Sequence, residues 1–315
     1  MLENLIFSLN TVIPWILIAA VGFLFKRLGL IDDAFLEKGS KLVYFLCLPA
    51  MLFANMYTAN LNELIDLGFI LFTLGWAVFS FGLTWVLCIF FMKEKSAISA
   101  FVQGSCRSNI GVLAVPLAFS VLGDSAIMSI LALAVLIPTY NIICVILLTL
   151  HSQKDNNSVS LKMLLMSIAK NPLIISIVLG ITLSLSGIRL PAFISTTVST
   201  LSHITVPLAL LCIGAGIVFR GVGDKLKYVL SSSIIKVIVM PALATLAAFL
   251  FGFRGYELTI IMLINGVPAA VAGYIMVAQI GGDSAIAANN VMLTTIFSAF
   301  TLPVFIFIFR SLGII

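Results

Sequence analysis

Charge is what this sequence has least of. Asp, Glu, Lys and Arg together make up 9% of its 315 residues, whereas a soluble domain carries roughly 25% to maintain a hydrated surface. Too little polar surface remains to fold in water, so the solvent of this chain is lipid. Histidine is nearly missing as well: His151 and His203 are the two in the sequence, which leaves metal-centre and triad chemistry without ligands or bases. There is no HExxH, no G-x-S-x-G, no Walker A run and no carboxylate pair inside an apolar stretch. The sequence therefore points to a non-enzyme without cofactor or metal, and any transport must draw on a gradient or be passive. The five cysteines, Cys47, Cys88, Cys106, Cys144 and Cys212, sit far apart in apolar runs, with no zinc or redox spacing, and read as packing residues. The first apolar stretch lacks a basic n-region and a small-residue cleavage site, so it reads as a retained span.

Apolar length takes the place of charge. Hydrophobic residues form 62% of the chain and the mean hydropathy is +1.23. At roughly 20 residues per span, ten spans are expected, over 8–25, 40–58, 67–92, 97–122, 126–150, 163–186, 192–219, 228–250, 256–280 and 286–310. The intervening turns carry punctuation: Lys93-Glu94-Lys95, Gly123-Asp124-Ser125, Gly187-Ile188-Arg189, Gly221-Val222-Gly223-Asp224 and Gly281-Gly282-Asp283. The sequence divides at 151–162, a polar linker, into 1–150 and 163–315.

The net charge of +5 follows from orientation rather than from a nucleic-acid partner. With the amino terminus outside, twelve of the 17 Lys and Arg fall in inside loops and three (Arg189, Arg254, Arg310) outside, while Arg107 and Lys236 lie within spans. This places both termini outside the cytoplasm. The five letters Gly123-Asp124-Ser125-Ala126-Ile127 recur as Gly282-Asp283-Ser284-Ala285-Ile286, each after a span holding an Asn and a Pro. Five spans per half make the second copy an inverted repeat, an arrangement common among secondary transporters.

The polar residues inside the apolar runs are the functional candidates. The fourth expected span contains Gln103-Gly104-Ser105-Cys106-Arg107-Ser108-Asn109-Ile110-Gly111 and then Pro116, and the ninth contains Asn265-Gly266-Val267-Pro268. Gly and Pro weaken a helix, and freed backbone groups are tolerated in lipid only where protein or a water-filled cavity satisfies them. Both spans are thus expected to be broken and to cross at Gly111, Pro116, Gly266 and Pro268. At ~1.5 Å rise per residue, Arg107 and Asn265 each lie roughly 12–15 Å into a ~30 Å core. A charge at that depth costs at least ~2.5–3.5 kcal/mol and no acid lies level with it, which points to an anion that visits and leaves. The other reading has Arg107 pinning loose carbonyls. Lys236 faces the same cavity, carries a coupling proton, or snorkels to the interface. His203 is a titratable candidate or a packing residue. Asn141, Asn55, Asn289 and Asn290 form interhelical hydrogen bonds, and Asn141 is the best functional candidate among them.

These residues resemble the auxin efflux carrier family, which includes bacterial malate and malonate permeases. The resemblance runs through Leu46-Cys47-Leu48-Pro49-Ala50, Asn109-Ile110-Gly111 with Pro116-Leu117, and Asn171-Pro172-Leu173-Ile174. It continues through Pro207-Leu208-Ala209-Leu210-Leu211 with Gly214-Ala215, Lys236 with Pro241, Pro268-Ala269-Ala270, Ala278 to Asp283, and Leu302-Pro303. It implies an all-α membrane fold of ten helices as two inverted five-helix repeats with crossed, broken helices 4 and 9, similar to the bile-acid sodium symporters. It also implies a scaffold from helices 1, 2, 6 and 7, a transport domain from helices 3–5 and 8–10, elevator-like movement and a homodimer. Asn109, Pro116 and Pro268 map onto the crossover. The plant exporters carry an acidic residue in the third span, and Leu74-Gly75-Trp76 to Thr84 has none.

The reading that results is a secondary transporter of a small organic anion, a mono- or dicarboxylate or auxin-like acid, in the cell inner (plasma) membrane. The substrate would meet Arg107, Asn109, Asn265, Asn141 and His203, with a proton or sodium ion as a coupling partner. The rivals are a cation-coupled symporter of an amphipathic acid and a non-transporting membrane ligand sensor.

Overall fold

In lipid every backbone N–H and C=O must be satisfied within the chain, and the secondary structure follows from that. The computed structural model describes residues 2–58, 66–151, 170–216, 225–280 and 282–314, and outside a single bridge these residues form helices joined by short turns. In chain order the α-helices are α1 (Leu2–Arg27), α2 (Asp33–Leu42), α3 (Leu48–Thr58), α4 (Leu67–Phe91), α5 (Lys95–Cys106), α6 (Val115–Leu122) and α7 (Ile127–His151). They continue as α8 (Pro172–Ser186), α9 (Ala192–Ala215), α10 (Leu226–Ile234), α11 (Met240–Leu250), α12 (Gly255–Gly266), α13 (Val271–Ile280) and α14 (Ser284–Ser311). The expected linker 151–162 falls outside the described residues except for His151, as do 163–169, Arg220 and Gly221 to Asp224.

The span count is corrected by the structure. Among the described residues seven helices, not ten, are long and apolar enough to cross a membrane: Glu3–Arg27, Asp33–Thr58, Leu67–Phe91, Ile110–His151, Ala192–Ala215, Leu226–Leu250 and Ser284–Ser311. The chain is an all-α multi-pass membrane protein with seven membrane-spanning helices among its described residues, and the ten-helix inverted-repeat fold of the bile-acid symporter type is set aside. The reasons are local. Helices α5 and α12 are 12 residues each and α13 is 10, well short of the roughly 20 that a bilayer needs. The described part of the sixth expected span, α8, is 15 residues. The Gly123-Asp124-Ser125 turn, expected to separate two spans, is a 3₁₀ turn entered through Gly123 at φ 58°, ψ −137°, between α6 and α7 of the helical stretch Ile110–His151. Its twin differs in structure: Asp283 caps α14 through its side chain, accepting from the Ala285 and Ile286 amides, whereas Asp124 is exposed inside that 3₁₀ turn.

Small residues set the closest helix packing, as expected where lipid gives no hydrophobic drive between helices. A Cβ on Gly22 would lie 2.2 Å from the Leu211 carbonyl oxygen, and one on Gly214 would lie 1.8 Å from that of Ala19, so α1 and α9 are in backbone contact. Gly180 on α8 similarly admits the Phe53 carbonyl of α3 at 2.9 Å. Helices α3, α8, α1 and α9 pack in one group, and α4, α5, α7 and α10–α14 surround the breaks.

Three five-residue π-helical turns interrupt the helices, at Val43–Cys47, Ile110–Ala114 and Ile235–Val239. Each ends two residues before a proline: Pro49, Pro116 and Pro241. Proline has no N–H and its ring presses on the preceding turn; a widened turn gives that ring room, and such bulges are frequent at functional sites. Two of the three lead into the candidate site.

Candidate functional site

The site is built where two helices stop. α5 ends at Cys106, and Arg107 leaves it in an extended conformation (φ −77°, ψ 112°). α12 ends at Gly266, followed by Val267 at φ −67°, ψ 156°, the extended geometry that a residue before proline prefers. The two loose segments meet as a short antiparallel bridge between Ser108 and Ala269. The Asn109 amide donates to the Pro268 carbonyl (3.0 Å) and the Ala270 amide to the Arg107 carbonyl (3.2 Å). The Ala269 amide donates to Thr294 Oγ1 on α14 (3.1 Å). Backbone groups freed by the breaks are thereby satisfied across the gap.

Two cationic side chains lie at this junction. Arg107, 7% exposed, donates to Asn141 Oδ1 on α7 (2.8 Å) and approaches Met276 Sδ on α13 (3.0 Å). These bonds go to side chains rather than to freed carbonyls. Lys236, fully buried, donates to Ser108 Oγ (2.8 Å) and to the Asn265 carbonyl (2.5 Å). Its ammonium is held inward and does not snorkel. The Asn265 carbonyl lies in the last turn of α12, where unpaired C=O groups carry the negative end of the helix dipole and favour a cation. Among the described residues neither Arg107 nor Lys236 takes part in an ion pair.

Asn265 joins the junction to an aromatic wall. Its amide nitrogen donates to the Ile261 carbonyl (2.8 Å), and its Oδ1 accepts from Trp76 Nε1 on α4 (3.1 Å). A small pocket beside it is lined by Phe72, Thr73, Trp76, Leu136, Tyr140, Ile261 and Ile264 as well as Asn265. Tyr140 lies near Ser108, so the pocket adjoins the Lys236 contact. Among the other expected residues, Gly111 is buried against Leu133, where a Cβ would come within 3.2 Å, and Gly266 is similarly held against Leu302. Pro116 lies two residues beyond the π turn Ile110–Ala114, whose widened backbone gives its ring room. Asn109 is half-buried, and its carbonyl starts the π turn by accepting from Leu113 and Ala114. His203 lies on an exposed stretch of α9 and takes no part in this network.

Sequence reasoning passed over Trp76, Ser108, Tyr140, Met276 and Thr294 as site residues. Trp76 reads as one more aromatic in an apolar run. Its four-residue offset from Phe72, with which it stacks, is the signal that could have placed it on an inward face.

With this geometry in hand, comparison with known proteins bears on what the site serves. A profile described as membrane transport protein matches residues 7–306. The chain belongs to this family. It is the auxin-efflux-carrier-like family of membrane transporters whose motifs the sequence carries. An uncharacterized transporter of Methanocaldococcus jannaschii is 23% identical over 299 residues, covering 92% of this chain and 95% of the relative. An uncharacterized transporter of Escherichia coli K12 is 26% identical over 321 residues, covering 97% and 99%. A putative malonate transporter of Rhizobium meliloti is 22% identical over 310 residues, covering 95% of each. These matches are end to end, so the junction of Arg107, Asn265 and Lys236 lies within the part of the chain that defines this transporter family.

Proposed function

We propose that the protein is a secondary transporter of a small organic anion, a short mono- or dicarboxylate, recognised at the junction of the two interrupted helices. One observation carries the reading: Arg107 and Lys236 are buried at that junction with neutral partners and no carboxylate. A buried ion is costly unless paired, and a carboxylate entering here supplies the missing charge. Guanidinium takes a carboxylate in bidentate geometry. Asn109, Asn141 and Asn265 offer polar contacts, the first turn of α13 adds the positive end of its dipole, and Phe72, Trp76 and Tyr140 shield the carbon skeleton. Gly111, Pro116, Gly266 and Pro268 keep the junction open-wound. The Rhizobium meliloti relative, a putative malonate transporter, is consistent with such a substrate.

The remaining parts of the reading are architectural. α1, α3, α8 and α9 form a static scaffold, and the helices around the breaks move as a body in an elevator-like cycle. A homodimer in the plasma membrane holds the scaffold still, with Lys225 and its neighbours on the cytoplasmic side.

The test is counterflow of labelled malonate in proteoliposomes. Arg107→Gln keeps a polar side chain but removes the charge, and a hydrogen bond to a charged group is worth roughly 1.5–3 kcal/mol. Half-saturation should therefore rise roughly 10- to 100-fold in a protein that remains monodisperse. Unchanged half-saturation would remove Arg107 from the site.

A further inference from the structure

Six of the nine buried side-chain atoms without a hydrogen-bond partner among the described residues sit on α5 and the first two turns of α14: Ser99 Oγ, both amide atoms of Gln103, Ser105 Oγ, Asn289 Oδ1 and Asn290 Oδ1. Each of these residues is at least nine-tenths buried. Orphaned buried polar groups are destabilising and rare, so this concentration on α5 and α14 calls for a ligand. The glycines show where the atoms face. A Cβ on Gly104 would lie 2.6–2.8 Å from the Asn290 amide, one on Gly273 would lie 3.4 Å from Gln103 Oε1 and 3.6 Å from Arg107 Cδ, and one on Gly282 would lie 3.0 Å from Ser99 Oγ. Ser99 and Gln103 lie four residues apart on α5, so they rise along one face, and Arg107 follows just beyond the end of that helix. Asn290 Nδ2 donates to Ser232 (2.8 Å) and Ser233 (3.3 Å) on α10, one turn before Lys236. The column begins near Lys225, which pairs with Asp283 and with Glu94 (3.3 Å), and ends at the Lys236 ammonium.

We propose that Ser99, Gln103, Asn289 and Asn290 line a hydrated route along which a proton passes between the Lys225 end of the bundle and Lys236. The ligand class follows from the donor set. The walls are hydroxyls and carboxamides without a carboxylate, and they approach two cations, Arg107 and Lys236. A metal cation entering there meets like charge with nothing to offset it, whereas water both donates and accepts and fits neutral amides. On release, an N–H bond of the ammonium breaks, its proton goes to a water oxygen in the route and the amine retains the electron pair; reloading reverses these steps. The titratable and charged groups facing Lys236 are Cys106 of α5, Tyr140 of α7 through Ser108, and Arg107 beside Ser108. α11 and α14 up to Leu302 contribute none, Tyr256 and Glu257 lie at the far end of α12, and Lys227 and Tyr228 lie two turns earlier on α10.

This inference rests on the carrier reading, and the experiment separates the two. Malonate counterflow at equal pH moves no net proton, whereas accumulation driven by an imposed pH gradient requires one. Gln103→Met, close in volume and without an amide, should lower gradient-driven accumulation at least tenfold and leave counterflow within twofold. Asn289→Leu should do the same, and Gln103→Asn should retain most of the gradient response. A parallel fall in both activities, or no change in either, in whichever variants remain monodisperse, overturns the route. Wild-type protein that shows counterflow without gradient-driven uptake also overturns it and leaves the carrier reading standing. No malonate counterflow in the wild type counts against the carrier reading itself.

Discussion

Replacing Gly214 by alanine sets a methyl group where the Ala19 carbonyl oxygen already lies, 1.8 Å from the added carbon. Contacts below 3.0 Å are essentially never seen for a real Cβ, and here the obstacle is backbone. α1 and α9 must therefore part by roughly 1 Å, a gap that forfeits about a quarter to a half of each dispersion contact along the seam. Overpacking of this kind costs about 1–3 kcal/mol, and the gain in helix propensity on replacing glycine returns about 1 kcal/mol at most. We expect a net loss near 1 kcal/mol, or a fall of roughly 2–4 °C in the melting temperature of detergent-solubilised protein. Gly22→Ala, 2.2 Å from the Leu211 carbonyl, should behave alike. The double variant should cost less than the sum, because one separation serves both methyls. Gly75→Ala is the control, since nothing lies within 4 Å of its added carbon. A Gly214→Ala protein as stable as Gly75→Ala would refute the backbone contact between α1 and α9.

Other expectations test other contacts. Trp76→Phe keeps the ring but removes the donor to Asn265 Oδ1, and an unpaired buried amide oxygen costs about 1–3 kcal/mol. Malonate half-saturation in counterflow should rise several-fold, and an unaltered value would detach Trp76 from the site. The Lys225 ammonium is held above the usual lysine range, first by its hydrogen bond to Asp283, with the Asp283 and Glu94 charges adding to it. A raised folded value means that this stabilisation is full below the ordinary lysine pKa and lost as pH rises through the folded one. Thermal stability should therefore decline more between pH 9 and pH 12 in the wild type than in Lys225→Met; equal slopes would dismiss the contact. Asn171 caps α8 by accepting from the Leu173 (2.9 Å) and Ile174 (3.4 Å) amides. Asn171→Ala should cost about 1 kcal/mol in thermal unfolding and Asn171→Asp only a few tenths, so equal losses from both would show that the cap does not act.

What the sequence reveals here, and what it hides, follows from the range of the forces involved. Glycine and proline act on their own turn, so interruptions near Arg107 and Val267 are readable from Gly266-Val267-Pro268 and the polar run before Pro116. The membrane also makes Arg107 and Lys236 conspicuous, because a charge in an apolar run has a large local cost. The number of spans is another matter. It depends on whether neighbouring segments join, and Gly123-Asp124-Ser125 looks like any turn while forming a 3₁₀ link between α6 and α7. The same five letters do different work near Ile286, because Lys225, itself paired with Glu94, reaches Asp283 there. Lys236 was readable as a charge but not as a donor to Ser108 and Asn265, which are distant in sequence. The π turns before Pro49, Pro116 and Pro241 leave no compositional trace other than the proline itself.

The seam between α1 and α9 also says where motion cannot occur. When carbonyl oxygens fill the dimples left by Gly22 and Gly214, the two helices are keyed together like teeth. Any sliding or rotation drives main-chain atoms into a ridge of side chains. In the proposed elevator-like cycle, rearrangement would take place along borders where pliable side chains meet, with this pair as the fixed post against which the rest of the molecule shifts.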